Sequence, residues 1–140
     1  MLIDAQCRIL YLSDTVEGKR SDKKLAQEIC LDLPADSCVL QDLGFMGLDL
    51  PGVELLQPYK KKRGGKLSVF ERLSNRVLSS SRVYVEHVFS AVKRFRSVRE
   101  VVRMRIEGIE DDLMQICCGL HNLIVRLSPW KPMPEPGAPF

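Results

Sequence analysis

Apolar and polar positions alternate in short bursts through the first half of the chain and recur at helical spacing through the second. Leu2-Ile3 and Arg8–Leu12 read as two strands of a hairpin turning through Asp4–Cys7. Gly18 to Arg20 is a loop. Asp22–Leu31 reads as a short helix that turns Leu25, Ile29 and Cys30 inward, and Pro34 ends that region. Cys38-Val39-Leu40 is a short apolar run of the kind that forms a buried strand. It stops at Gln41-Asp42 and breaks at Gly44. Pro51-Gly52 marks a turn into a further strand, Val53–Leu56.

Beyond a Gly-Gly loop the period changes. Ser68-Val69-Phe70-Glu71 fits a capping box, so a helix starts near Val69, and Ser79-Ser80-Ser81 is expected to interrupt or loosen it. Val85, Val88, Phe89, Val92 and Phe95 then recur on one helical face. The last helix carries a stripe of Leu113, Ile116, Cys117, Leu120, Leu123, Ile124 and Leu127. Glu110, Asp111 and Asp112 sit at its start, where the helix dipole favours anions. Strands first and helices after suit an α/β sheet covered by helices. From Ser128 the chain is Pro-rich and reads as extended or disordered. The expected organisation is one domain over residues 1–127 and a tail over 128–140.

Composition excludes several classes. Apolar residues make up 45% and charged residues 28% of the 140, a globular balance. No apolar run is long enough for a membrane span, and no basic-then-apolar leader opens the chain. An intracellular protein is expected, in the cytoplasm or nucleoid of a bacterium or the nucleus of a eukaryote. Five cysteines without C-x-x-C spacing argue for buried free thiols rather than zinc ligation.

The net charge of +3 conceals a division. Residues 1–57 hold 5 Lys/Arg against 10 Asp/Glu, residues 58–105 hold 14 against 3, and residues 106–140 hold 2 against 5. The middle block is a candidate footprint for a polyanion, although charge runs are often plain solvated faces. Its loop, Lys60, Lys61, Lys62, Arg63 and Lys66, suits contact with a phosphate backbone and carries little sequence information.

Two acids are candidates for chemistry. Asp42 lies where an apolar strand ends, a place where α/β sheets often present functional groups. An Asp that merely caps a turn is the competing reading. Glu86 lies mid-helix, with Arg82 four residues before and Lys93 seven after, all near one azimuth. A solvated ion-pair row is the competing reading there. Together the two carboxylates suit a hard divalent cation, Mg2+ or Mn2+, as used in phosphodiester cleavage. His87 points away from Glu86, and packing or a surface position is expected. His121 is expected to be a helix-packing residue, and Trp130 and Phe140 to have no defined role.

The same residues resemble a known family. Gly18-Lys19-Arg20-Ser21-Asp22-Lys23-Lys24-Leu25 resembles G-S-x-H-D-x-x-L, and Asp42-Leu43-Gly44-Phe45 resembles D-x-G-Y/F. Arg82-x3-Glu86-x6-Lys93 matches R-x3-E-x6-K, and Gly119–Ile124 resembles a closing L-H-N-L. These are motifs of DDE transposases of the insertion-sequence and Harbinger-like group. The resemblance implies an incomplete ribonuclease-H-like fold, a mixed sheet with covering helices whose first strand is missing. It implies Asp42 and Glu86 as metal ligands, and Arg82, Lys93 and Arg94 beside the basic loop as DNA contacts. Asp22 belongs to a family motif without a fixed role here. The first catalytic Asp has no counterpart, since Asp4 lies within the later hairpin. The chain is therefore expected to be a fragment of a strand-cutting domain, inactive alone, with DNA and further copies of itself as partners. A non-catalytic DNA- or protein-binding module derived from such an enzyme is the alternative.

Overall fold

The computed structural model describes residues 1–16, 18, 20–29, 31–61, 63–100, 103 and 106–133. Lys19, Cys30, Lys62 and Phe140, on which expectations rest, lie outside the described residues. The chain is α/β. It divides into two compact units, one of Met1–Thr15 with Ser80–Phe140 and one of Val16–Ser79.

In the first unit, β1 (Leu2–Ile3) and β2 (Ile9–Tyr11) form the expected antiparallel hairpin. Its turn is organised by Asp4, whose carboxylate accepts from the Gln6 and Arg8 N–H groups at 3.0 and 2.8 Å and from Arg8 Nε at 2.6 Å. This leaves Cys7 in the left-handed region at φ 64° and fully buried. The hairpin packs with α4 (Ile109–Leu127), the Ser80–Val92 part of the long helix, and α3 (Arg96–Arg99) around Cys7, Ile9, Val88, Val92, Cys117 and Cys118.

The second unit holds α1 (Asp22–Glu28) and a parallel strand pair, β3 (Cys38–Leu40) and β4 (Glu54–Leu56), in register Cys38↔Glu54 to Leu40↔Leu56. A 3-10 turn, Leu43–Phe45, follows β3. The helix α2 (Val69–Val92) contributes its first half here. Among the described residues, Leu50 is the one buried side chain of this unit.

Several expectations change. Among the described residues the strands form two separate pairs rather than one mixed sheet. On the hairpin the reason is visible. Asn122 Oδ1 accepts from the Ile9 N–H and its Nδ2 donates to the Ile9 carbonyl, both at 2.8 Å. The carboxamide stands where a further strand would pair with β2. The serine run does not interrupt α2, because Ser79 Oγ satisfies itself on the Asn75 carbonyl at 2.7 Å and Ser81 is buried. The helix α1 stops at Glu28, with Ile29 extended.

The largest change is the rotation of α4. Cys117, Cys118, His121 and Val125 are inside, whereas Ile116, Leu120, Leu123, Ile124 and Leu127 are 42–77% exposed. The polar pair decides it: His121 Nε2 bonds the Cys7 carbonyl oxygen at 2.9 Å and Asn122 holds Ile9. These bonds tie that face of α4 to the hairpin and leave none of the Cys7 and Ile9 backbone groups they meet unpaired. His121 is thus a packing residue. Trp130 meets its ring edge-on, centroids 5.3 Å apart, and the Met133 N–H donates to the Ala5 carbonyl, so residues 128–133 are anchored.

Candidate functional site

Asp42 is where the strand reading puts it. The Gln41 N–H donates to the Leu56 carbonyl at 2.8 Å, continuing the parallel pairing one residue past β3. Asp42 follows, extended at φ −80° and ψ 164° and half-buried. Its Oδ1 accepts from the Leu43 N–H at 2.7 Å and caps the 3-10 turn. The carboxylate therefore sits at the carboxyl end of a parallel strand pair and caps a turn at once. The two readings of Asp42 are compatible. Gly44 lies inside the 3-10 turn with open space around it, so it is not the residue that redirects the chain. That role falls to Gly47, at φ +78°, where a Cβ would lie 3.1 Å from Lys23 Nζ.

Beside Asp42 is a feature that no sequence pattern announces. Gln41 Nε2 donates to Gln57 Oε1 at 3.4 Å across the ends of β3 and β4. Gln41 Oε1 is buried without a hydrogen-bond partner among the described residues. Asp22 is the first residue of α1, exposed at the end where the dipole favours an acid.

Glu86 belongs to the other unit. It is exposed on α2, and Arg82, one turn earlier, is exposed as well. Lys93 lies one residue past the helix end, its N–H still bonded to the Phe89 carbonyl at 2.9 Å. Its ammonium stands 5.9 Å from the centre of the Phe89 ring, a cation–π contact. Arg94 and His87 are exposed.

The basic loop is exposed at Lys60, Lys61, Arg63 and Lys66 and fixed at both ends. Before it, Asn75 on α2 clamps Tyr59. Oδ1 accepts from the Tyr59 N–H at 2.7 Å and Nδ2 donates to its carbonyl at 3.0 Å. After it comes the expected capping box, Glu71 N–H to Ser68 Oγ at 3.1 Å and Ser68 N–H to Glu71 Oε2 at 2.6 Å. The Asn75 clamp was not legible in the sequence, since a lone Asn in a helix has no distinguishing pattern.

The donor set suits a divalent cation in kind, since carboxylates are hard oxygen ligands. It does not suit one in number. Among the described residues no group of three or more His, Cys, Asp or Glu side chains gathers as a metal site. No helix among them is long and apolar enough to cross a membrane.

Residues 1–122 match a family model described as DDE superfamily endonuclease. No curated protein and no solved structure matches the chain.

Proposed function

The chain belongs to the DDE superfamily of endonucleases, and from that premise we propose that it is the later part of a transposase catalytic domain acting on DNA. The proposed domain covers residues 1–127, is ribonuclease-H-like and lacks its first strand; of the Pro-rich residues that follow, Trp130 and Met133 pack against its core. The observation that carries the reading is Asp42, a carboxylate at the carboxyl end of a parallel strand pair. Asp42 and Glu86 are the residues proposed to hold Mg2+ or Mn2+ in the complete domain, where the ion would activate the attacking oxygen and steady the leaving one. Lys60, Lys61, Lys62, Arg63, Lys66, Arg82, Lys93 and Arg94 hold backbone phosphates, and Asp22 keeps no assigned role. A nucleoid or nuclear location follows from a DNA substrate.

These residues supply two of the carboxylates the reaction needs, too few to fix two metal ions. The 140-residue chain is therefore inactive alone. Calorimetric titration with Mn2+ should show weak binding that Asp42→Asn and Glu86→Gln each diminish, with no nicking of supercoiled plasmid. Metal-dependent nicking abolished by Asp42→Ala would overturn the inactivity. Loss of neither heat nor affinity in both variants would overturn the ligand assignment. The alternative of a non-catalytic DNA-binding module draws support from the doubly tethered basic loop, and the same titration separates the two. Self-association belongs to this proposal too, supported by the exposed apolar side chains of α4.

A further inference from the structure

A small cavity of about 300 Å³ opens between the basic loop and the first turn of α2, lined by Lys61, Lys66, Leu67 and Arg72. Three of its four lining side chains are cations. Among the described residues none of the three forms an ion pair. Like charges gathered around one hollow repel each other. An anion in the cavity reverses the sign of that energy.

Arg72 is the informative member. It is the fourth residue of α2, in the first turn, where the helix dipole disfavours a cation. Helix stability therefore does not account for its place. The adjacent acid, Glu71, is engaged with the Ser68 N–H in the capping box. The cavity's charge thus comes from side chains rather than from open helix-end N–H groups. Both ends of the loop are tethered, by Asn75 on one side and Ser68 on the other, so less conformational freedom is lost on binding. A guanidinium offers a planar fork to two phosphate oxygens, and the two ammonium groups add point charge.

We propose that Lys61, Lys66 and Arg72 form a pocket for one backbone phosphodiester of duplex DNA, with Arg72 as its orienting residue. Lys60 and Arg63 are exposed on the same loop. That is more cationic charge than one isolated phosphate requires, which favours a polyanion over a free anion. The proposal rests on the DNA-binding reading above and adds a residue and a position to it.

The test is fluorescence anisotropy of a labelled duplex across a KCl series, using the full chain. Each phosphate contact contributes about 0.9 to the slope of log Kobs against log[salt]. The pocket as a whole neutralises one phosphate, so Arg72→Gln, which removes its orienting side chain, should flatten the slope by up to about 0.9, and Lys66→Gln by a smaller amount. Arg72→Lys should restore it, and Lys24→Gln, an exposed lysine on α1, should leave it unchanged. Matching thermal melts for the variants exclude misfolding. Salt-dependent wild-type binding with an unchanged Arg72→Gln slope would overturn the pocket while the DNA reading stands. An equal loss in Lys24→Gln would overturn it as well, since undirected charge would then suffice. Wild-type binding that ignores salt would overturn the DNA reading itself. If inorganic phosphate shifted the Arg72 Nε–H resonance in a chain that did not bind duplex, the site would belong to a free anion and the assignment to DNA would fall.

Discussion

Two asparagines perform the same act in different surroundings. Asn122, in the hairpin unit, closes both backbone groups of Ile9, a residue only 8% exposed. Asn75, in the unit with the basic loop, closes both backbone groups of Tyr59, which is 45% exposed. The bonds have similar lengths, 2.8 and 2.8 Å against 2.7 and 3.0 Å. Their worth differs because water is available to Tyr59 and not to Ile9. One clamp holds a core together, and the other fixes the start of an exposed loop. The difference extends to the units themselves. Among the described residues, the hairpin unit buries thiols, valines and a histidine, while the loop unit buries Leu50 and exposes its cations except the half-buried Lys23.

The sharpest way to break this comparison is to remove both clamps separately. Each orphaned buried backbone group costs about 1–3 kcal/mol, so Asn122→Ala should destabilise by about 3 kcal/mol. Asn75→Ala should cost under about 1 kcal/mol, because solvent takes over the lost bonds. Urea unfolding measures both. Equal losses would mean that burial does not distinguish the clamps. Asn75→Ala should instead weaken DNA binding, by loosening the start of the loop.

Neither clamp shows in a hydrophobic pattern, and this limits what the sequence could say. The hairpin, the positions of β3 and β4 and the capping box are legible because alternation, apolar runs and the S-x-x-E spacing are local signals. The burial of β3 is not: its apolar run predicts a buried strand, whereas Cys38 and Leu40 are exposed. The inward face of α4 was not. Its leucines and isoleucines mark one stripe, but the long-range bonds of His121 and Asn122 to Cys7 and Ile9 select another. The place of Asp42 at a strand end is legible because that signal is local. Arg72 stands apart from the basic loop in sequence and comes beside it only through the cavity it lines with Lys61 and Lys66.

A second pair of substitutions compares packing directly within one helix. Val88 is fully buried and Val69 is 66% exposed, both on α2. Val88→Ala removes two methyl groups from the core and leaves space behind, at a cost of about 2 kcal/mol. Val69→Ala should change stability by less than about 0.5 kcal/mol. Thermal denaturation of the two variants tests this, and a large loss at Val69 would reveal a partner covering that surface.

The smallest effect concerns the link between the end of the first strand region and α4. The Thr15 hydroxyl and N–H hold the Asp111 carboxyl below its ordinary value, with the N–H donating at 2.6 Å. The sign follows from linkage. A carboxyl whose folded pKa is lowered gives its full stabilisation above its unfolded pKa, and loses it as pH falls through the folded one. The window therefore lies below the ordinary carboxylate pKa of 3.8. Asp111→Asn keeps an oxygen to accept from Thr15 but has no proton to gain, so it should be slightly less stable near neutrality. It also removes a negative charge from the first turn of α4, where the dipole favours one. The gap in Tm between wild type and Asp111→Asn should hold steady above about pH 5 and close on acidification. A gap that stays constant into strong acid would show that the Thr15 contact does not depend on the charge of Asp111.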